Sequence, residues 1–349
     1  MPAALLGCPM ASRARKHADD LREAARLAVE ATTGVTGVVE DMHLRIASGP
    51  AVLGKPFALP ARLFTGIAYG NVRLVTRLVG KSIDWTLERL APVLGESAPG
   101  LEREALVAAL NGVLGDWLAR TKSPFALELE LHREAPGPKQ VVLLHGSGMS
   151  HRHWLWQGHD HGAALARDYG FTPVYVQYNS GLPIAQNGRL LAERLEELAN
   201  ADEIALVGVS MGGLVARSAC HAAETEGRSW RKKLRTLVTL GTPHLGAPLE
   251  RGGALVDAIL PISSYSAPLL PLAKIRSAGI TDMRYGIDLP LPEGVACHAI
   301  AAANDLLVPV ASAHGPFPEA HCSIIPNIGH LDLLSSLEAY DTIRQALST

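Results

Sequence analysis

The chain has 349 residues, 48% hydrophobic and 19% charged, with a formal net charge of −2. That length and apolar content suit one large α/β domain with an appendage, or two ordinary domains, and exclude wholesale disorder. The near-neutral charge lacks the basic footprint that nucleic acid binding needs.

Cys8, Cys220, Cys297 and Cys322 are widely scattered and form no CxxC pair. They read as reduced thiols of a cytoplasmic protein, not as a disulfide framework or a zinc site. "LLGC" at 5–8 is similar to the end of a lipoprotein signal, but no basic segment or long apolar run precedes it. The most apolar uncharged stretch, around 258–273, is broken by Pro261, Pro268 and Pro271 and is no membrane span. The expectation is a soluble, cytoplasmic chain.

Residues 17 to about 120 carry helical periodicity. Leu21, Ala25, Ala28, Thr32, Val35, Val39, Met42 and Ile46 alternate steps of four and three, drawing one mostly apolar stripe. A Gly- and Pro-rich stretch (48–60) leads to a second stripe, Phe64, Ile67, Val72, Val75, Val79, Ile83, Leu87 and Leu90. There Arg62, Arg73 and Arg77 argue against insertion into a membrane. "LEREALVAALNGVLGDWLAR" (101–120) makes a third helix. Such stripes need a partner, either the rest of the chain, a second copy, or a lipid surface. A docked helical region is expected, with peripheral lipid contact as the alternative; the oligomeric state stays open.

From about residue 126 the period changes. "FALELELHRE" alternates like a half-exposed strand, and continuous apolar runs follow at 141–146, 172–178, 203–210, 235–242, 296–305 and 322–330. Helical segments separate them, among them "HGAALARDYG", ending in a C-cap glycine, and "NGRLLAERLEELAN", with Asn187 as its N-cap. Strands apolar on both faces and alternating with helices predict a mainly parallel sheet covered on both sides. Ligands bind at the carboxyl ends of such strands.

Those ends carry chemistry. The first run ends in His145-Gly146-Ser147-Gly148, the third in Ser210, the fifth in Asn304-Asp305 and the last in Gly329-His330. This order of serine, acid and histidine, with Gly208-Val209-Ser210-Met211-Gly212 between an apolar strand and a helix, resembles the α/β-hydrolase superfamily. "LVTLGTPHLGAP" (237–248), "HGSGM" and "GVSMGGLVAR" narrow the resemblance to bacterial lipases and the GPI inositol-deacylase group, over roughly 140–335.

The resemblance implies an α/β-hydrolase domain, 121–349, behind an N-terminal helical region, 1–120. It implies hydrolysis of a small-molecule or lipid carboxylic ester without metal or cofactor. Ser210 is then the nucleophile, His330 its base, and Asp305 the acid that orients the imidazole. The backbone N–H groups of Met211 and Ser147 are the expected oxyanion donors. His145, Trp154 and His244 are candidate substrate contacts, although His244 equally suits anchoring its loop. The lack of a signal and of an evident disulfide argues against an extracellular triglyceride role.

Other groups compete for these roles. Asp332 lies two residues past His330 but starts a helical segment that it would cap; Asp282 and Asp288 lie in a loop and are expected to be solvated. His298 reads as a satisfied core histidine, while His314 and His321 flank a Pro-rich loop. His151, His153, His159 and His161 form two HxH pairs, yet they lack the frame of a zinc site and fit a mobile aromatic loop at the pocket mouth. The insertion 247–293 is placed where a cap or lid is common. The same triad also suits acyl transfer or cleavage of an intracellular polyester, and a non-catalytic lipid-binding module is the reading from a different class.

Overall fold

The computed structural model describes residues 100–348 apart from 121, 124, 135 and 248–276. The first two expected helices, Cys8 and most of the 247–293 insertion therefore lie outside the described residues. The chain divides into two compact units, Met1–Arg103 and Glu104–Thr349, and the second holds nearly all that is described.

Its order begins with α1 (Gly100–Arg120), β1 (Glu130–His132), β2 (Lys139–Leu144) and the small hairpin β3 (Leu155–Trp156) and β4 (His159–Asp160). Then come α2 (His161–Tyr169), β5 (Thr172–Gln177), α3 (Ile184–Arg194), β6 (Glu203–Val209), α4 (Met211–Glu226) and β7 (Leu234–Leu240). The C-terminal part has α5 (Ala278–Tyr285), β8 (Ala296–Ala302), α6 (Val310–His314), β9 (Cys322–Ile325) and α7 (Leu337–Ala346).

The six continuous apolar runs join β1 in a seven-stranded sheet in the order β1-β5-β2-β6-β7-β8-β9, parallel except for β1. Central strands carry apolar side chains on both faces because helices cover both. Val142, Leu144, Leu206 and Leu237 pack with α3, α4 and Trp230 on one side. Val141, Leu143, Val207, Val238 and Leu240 pack with Trp154, α2 and α7 on the other. Leu144 pairs with Gly208, Val209 with Leu240, and Leu240 with Ile300, so the carboxyl ends form one rim.

Three elements depart from the sequence expectation. The strand at 125–134 shrinks to β1, because the Asn111 side chain binds the Phe125 carbonyl and the Leu127 N–H and withdraws that backbone from pairing. Helix α3 starts at Ile184 rather than at Asn187; Asp282, in α5 rather than in a solvated loop, accepts the Ile184 N–H at 2.9 Å. Asn187 is instead buried inside α3 and donates to the Asn179 carbonyl. Helix α1 packs against the sheet unit, with Ser277 donating to the Gly112 carbonyl and Asn179 to that of Gly115. Among the described residues, no helix is long and apolar enough to cross a membrane.

Candidate active site

Ser210 sits between β6 and α4 with φ 53° and ψ −122°. That backbone conformation is nearly reserved for glycine, and it is held because its surroundings leave no alternative. A Cβ on Gly208 would lie 2.5 Å from the Gly213 nitrogen, and one on Gly212 would lie 2.3 Å from the Leu144 carbonyl. The glycines thus permit a turn so tight that the serine stands at the helix N-terminus. Its N–H donates to the Leu240 carbonyl at 2.8 Å, fixing the turn to β7.

Asp305 and His330 meet beyond β8 and β9. Their side chains are 1% and 8% exposed, and Asp305 Oδ2 lies 2.6 Å from His330 Nδ1. A carboxylate accepts, so the imidazole presents a proton at Nδ1 and leaves Nε2 free for a base's work. Asp305 Oδ1 accepts from the N–H groups of Leu307 and Val308, both at 2.8 Å. Gly241 links this pair to Ser210: it follows Leu240, and a Cβ there would lie 3.1 Å from both Nδ1 and Cε1 of His330. Asp332 instead accepts the Gly329 N–H at 2.8 Å, and α7 is capped by Ser336.

Ser147 and Met211 flank the same turn. Gly146 packs on Ser210, and among the described residues no acceptor engages the Ser147 or Met211 N–H. The Ser147 hydroxyl is buried without a partner. His145 is buried rather than presented to a substrate. Its ring stacks on Tyr178 at 4.3 Å, donates through Nδ1 to the Gly146 carbonyl and accepts the Tyr178 N–H at Nε2. Burial lowers its pKa to about 3, so it is a neutral brace for the loop that carries Ser147.

His244 is also buried. Arg217, itself enclosed within α4, donates to Nδ1 at 3.0 Å, so Nε2 carries the proton toward Thr239 Oγ1. Burial, then the Arg217 charge, lower the His244 pKa to about 3. The side chain anchors its loop. Arg217, which also donates to the Leu289 carbonyl, carries no signal in the sequence that would mark it as buried.

Trp154 is fully buried under the sheet and not at a pocket mouth, as befits so large an apolar surface. The histidines around it disperse: His151 binds Gln177, His153 binds Ser150, and His159 meets His161. No group able to hold a metal occurs among the described residues. His298 is half-buried, its Nε2 lacks a partner, and its ring stacks on His321, unlike the satisfied core histidine expected. His314 points Nε2 at the Ser323 carbonyl, and Asp288 is exposed. A cavity of about 960 Å³ lies elsewhere, along β1, α2 and β5, lined by His132, Arg133, Arg167 and Tyr175, with none of Ser210, Asp305 or His330 among its lining.

Residues 137–267 match the family model described as a PGAP1-like alpha/beta domain. The match includes Ser147, Ser210 and His244 and ends before Asp305 and His330. No curated protein sequence matches the chain. Among solved structures it is similar to a Bacillus licheniformis lipase in mature form, at 17% identity and TM-score 0.45, over 63% of this chain and 98% of that one. A type II thioesterase from the borrelidin biosynthetic cluster gives 21% identity and TM-score 0.45, over 63% and 96%. A Bacillus subtilis carboxylesterase gives 14% and 0.40, over 68% and 96%.

Proposed function

We propose that this chain, whose described unit has the α/β-hydrolase fold, is a serine hydrolase that cleaves carboxylic esters of small-molecule or lipid-like substrates. The observation that carries the reading is the strained turn at Ser210 joined through Leu240–Gly241 to the hydrogen-bonded His330–Asp305 pair.

In the proposed reaction, His330 Nε2 takes the Ser210 proton as Oγ attacks the ester carbonyl carbon. The carbonyl π electrons move onto oxygen, where the N–H groups of Met211 and Ser147 stabilise the charge; losing one such donor costs about 3–4 kcal/mol. Asp305 holds the imidazole tautomer and stabilises the imidazolium. Collapse breaks the bond to the alkoxy group, which leaves as the alcohol with the proton from His330. A water, deprotonated by the same nitrogen, then attacks the acyl carbon, and collapse breaks its bond to Ser210 Oγ, which takes the proton back from His330 as the carboxylic acid leaves. Only side chains, backbone donors and water take part in these steps.

The domain division is a proposal as well: the chemistry resides in residues 104–349. Labelling by a fluorophosphonate and a panel of p-nitrophenyl esters of increasing chain length test the reading. Ser210 is expected to be labelled and to be required for turnover. Absence of labelling in the folded full-length chain would favour a non-catalytic lipid-binding module.

A further inference from the structure

His330 belongs to a short turn that two side chains hold. His330 stands at the N-cap position of the one-turn helix Leu331–Leu334, without a capping hydrogen bond from its side chain. On one side Asp332 Oδ2 accepts the Gly329 N–H at 2.8 Å. On the other, His161 at the start of α2 reaches the Leu333 carbonyl through Nε2 at 2.9 Å, across 172 residues of sequence. Leu333 itself packs where His330 does: a Cβ on Gly241 would lie 2.9 Å from Leu333 Cδ1 and 3.1 Å from the His330 ring.

The tautomers follow from the partners. A carbonyl only accepts, so His161 Nε2 carries the proton. Because burial keeps His161 neutral, with a pKa lowered to about 4, its Nδ1 holds a lone pair. His159 Nε2, 2.9 Å away, must then donate to it. The pair is fixed between Trp154, edge-on to His161, and Tyr340, stacked on it; the Tyr340 hydroxyl donates to Asp168. A buried histidine with both ring nitrogens held in hydrogen bonds serves to fix geometry.

We infer that His161, seconded by Asp332, is a positioning residue for His330: its Nε2–H fixes the Leu331–Leu334 turn so that Nε2 of His330 faces Ser210. The inference rests on the proposed esterase reading for its kinetic consequence, but not for its structural one. It gives the "HDH" segment at 159–161 a role within the site, which the sequence pattern alone did not offer.

The test uses the full-length chain with His161→Phe, which keeps a ring and removes the donor, and His161→Gln, which restores one. The direct readout is the downfield proton resonance of His330 Nδ1–H against Asp305, with p-nitrophenyl butyrate kinetics beside it. His161→Phe is expected to move or broaden that resonance, shift the pH midpoint of kcat/KM, and lower kcat about ten- to hundredfold with KM little changed. His161→Gln should recover most of each. An unchanged resonance and pH profile in folded His161→Phe, even with a lowered Tm, overturns the inference. If His161→Phe fails to fold, Asp332→Ala decides: the resonance must move, and an unmoved one overturns the clamp. A wild-type chain that hydrolyses no ester, together with a moved resonance in His161→Phe, would sink the esterase reading and leave the positioning role standing.

Discussion

Asp305 divides its carboxylate between two tasks: Oδ2 lies 2.6 Å from His330 Nδ1, while Oδ1 is tied to the N–H groups of Leu307 and Val308. The second task fixes the first, because a carboxylate pinned at one oxygen cannot rotate away from the imidazole.

Exchange of that oxygen for an amide is therefore specific. In Asp305→Asn, Oδ1 keeps its two N–H donors and the amide nitrogen is forced to face His330 Nδ1, driving the imidazole to the wrong tautomer. The expected loss in kcat is about 10⁴-fold. Asp332→Asn retains an acceptor for the Gly329 N–H and should lose less than about tenfold by the same measure. The reverse ranking of the two variants in ester hydrolysis would move the acid to Asp332.

The strain at Ser210 makes a second prediction. Its φ of 53° is unfavourable for any residue with a Cβ. Ser210→Gly should abolish turnover and raise stability by about 1–2 kcal/mol, whereas Ser210→Ala should abolish turnover without that gain. Urea midpoints of the three proteins measure it. Equal midpoints for the Gly and Ala variants would mean that the turn stores no strain.

The placement of Ser210 and Asp305 is visible in the chain itself. Continuous apolar runs mark strands, so the residues that follow them collect on one rim: Ser210 comes directly after β6, while Asp305 and His330 lie in the turns beyond β8 and β9, which end at Ala302 and Ile325. What the sequence conceals is decided by contacts between distant segments. Nothing near Ile184 announces that Asp282 will cap it, and no periodicity separates a buried His145 or Trp154 from a cleft-lining one. The Arg217–His244 contact joins a helix to a strand-end loop and leaves no local trace.

Burial of three histidines sets the acid limit of stability. His145 and His244 are lowered to about 3 and His161 to about 4, each chiefly by desolvation. Their folded values lie below the ordinary value of 6.5, so between these limits the unfolded chain binds more protons. Stability from this source is complete above pH 6.5 and is lost as the pH falls toward 3. Each group contributes about 1.4 kcal/mol per pH unit in that window. Urea unfolding at pH 7.5, 5.5 and 4.5 should show the decline, and His161→Gln should make it shallower. A flat profile from pH 7.5 to 4.5 would refute the assignment of these rings as neutral.

Helix α1 supplies the last prediction, because the sequence pattern groups it with the helices before it and the structure places most of it in the unit Glu104–Thr349. Val107, Leu110, Val113, Leu114 and Leu118 are all buried. At about 1.5–3 kcal/mol for each such side chain, their burial is comparable to the whole stability of an ordinary domain, about 5–15 kcal/mol. The helix also backs the site: a Cβ on Gly112 would lie 2.7 Å from the Gly148 Cα, next to the loop that presents the Ser147 N–H. A fragment beginning at residue 104 should therefore fold and hydrolyse short p-nitrophenyl esters, while one beginning at 121 should be insoluble or molten. Far-UV circular dichroism, urea unfolding and turnover on p-nitrophenyl acetate separate the two. Gly112→Leu in the full-length chain makes the finer cut, since it pushes on Gly148 from α1 and should lower kcat by about ten- to hundredfold through misplacement of the oxyanion loop. A soluble, cooperatively unfolding and fully active 121–349 fragment would show that α1 is dispensable to both the core and the site.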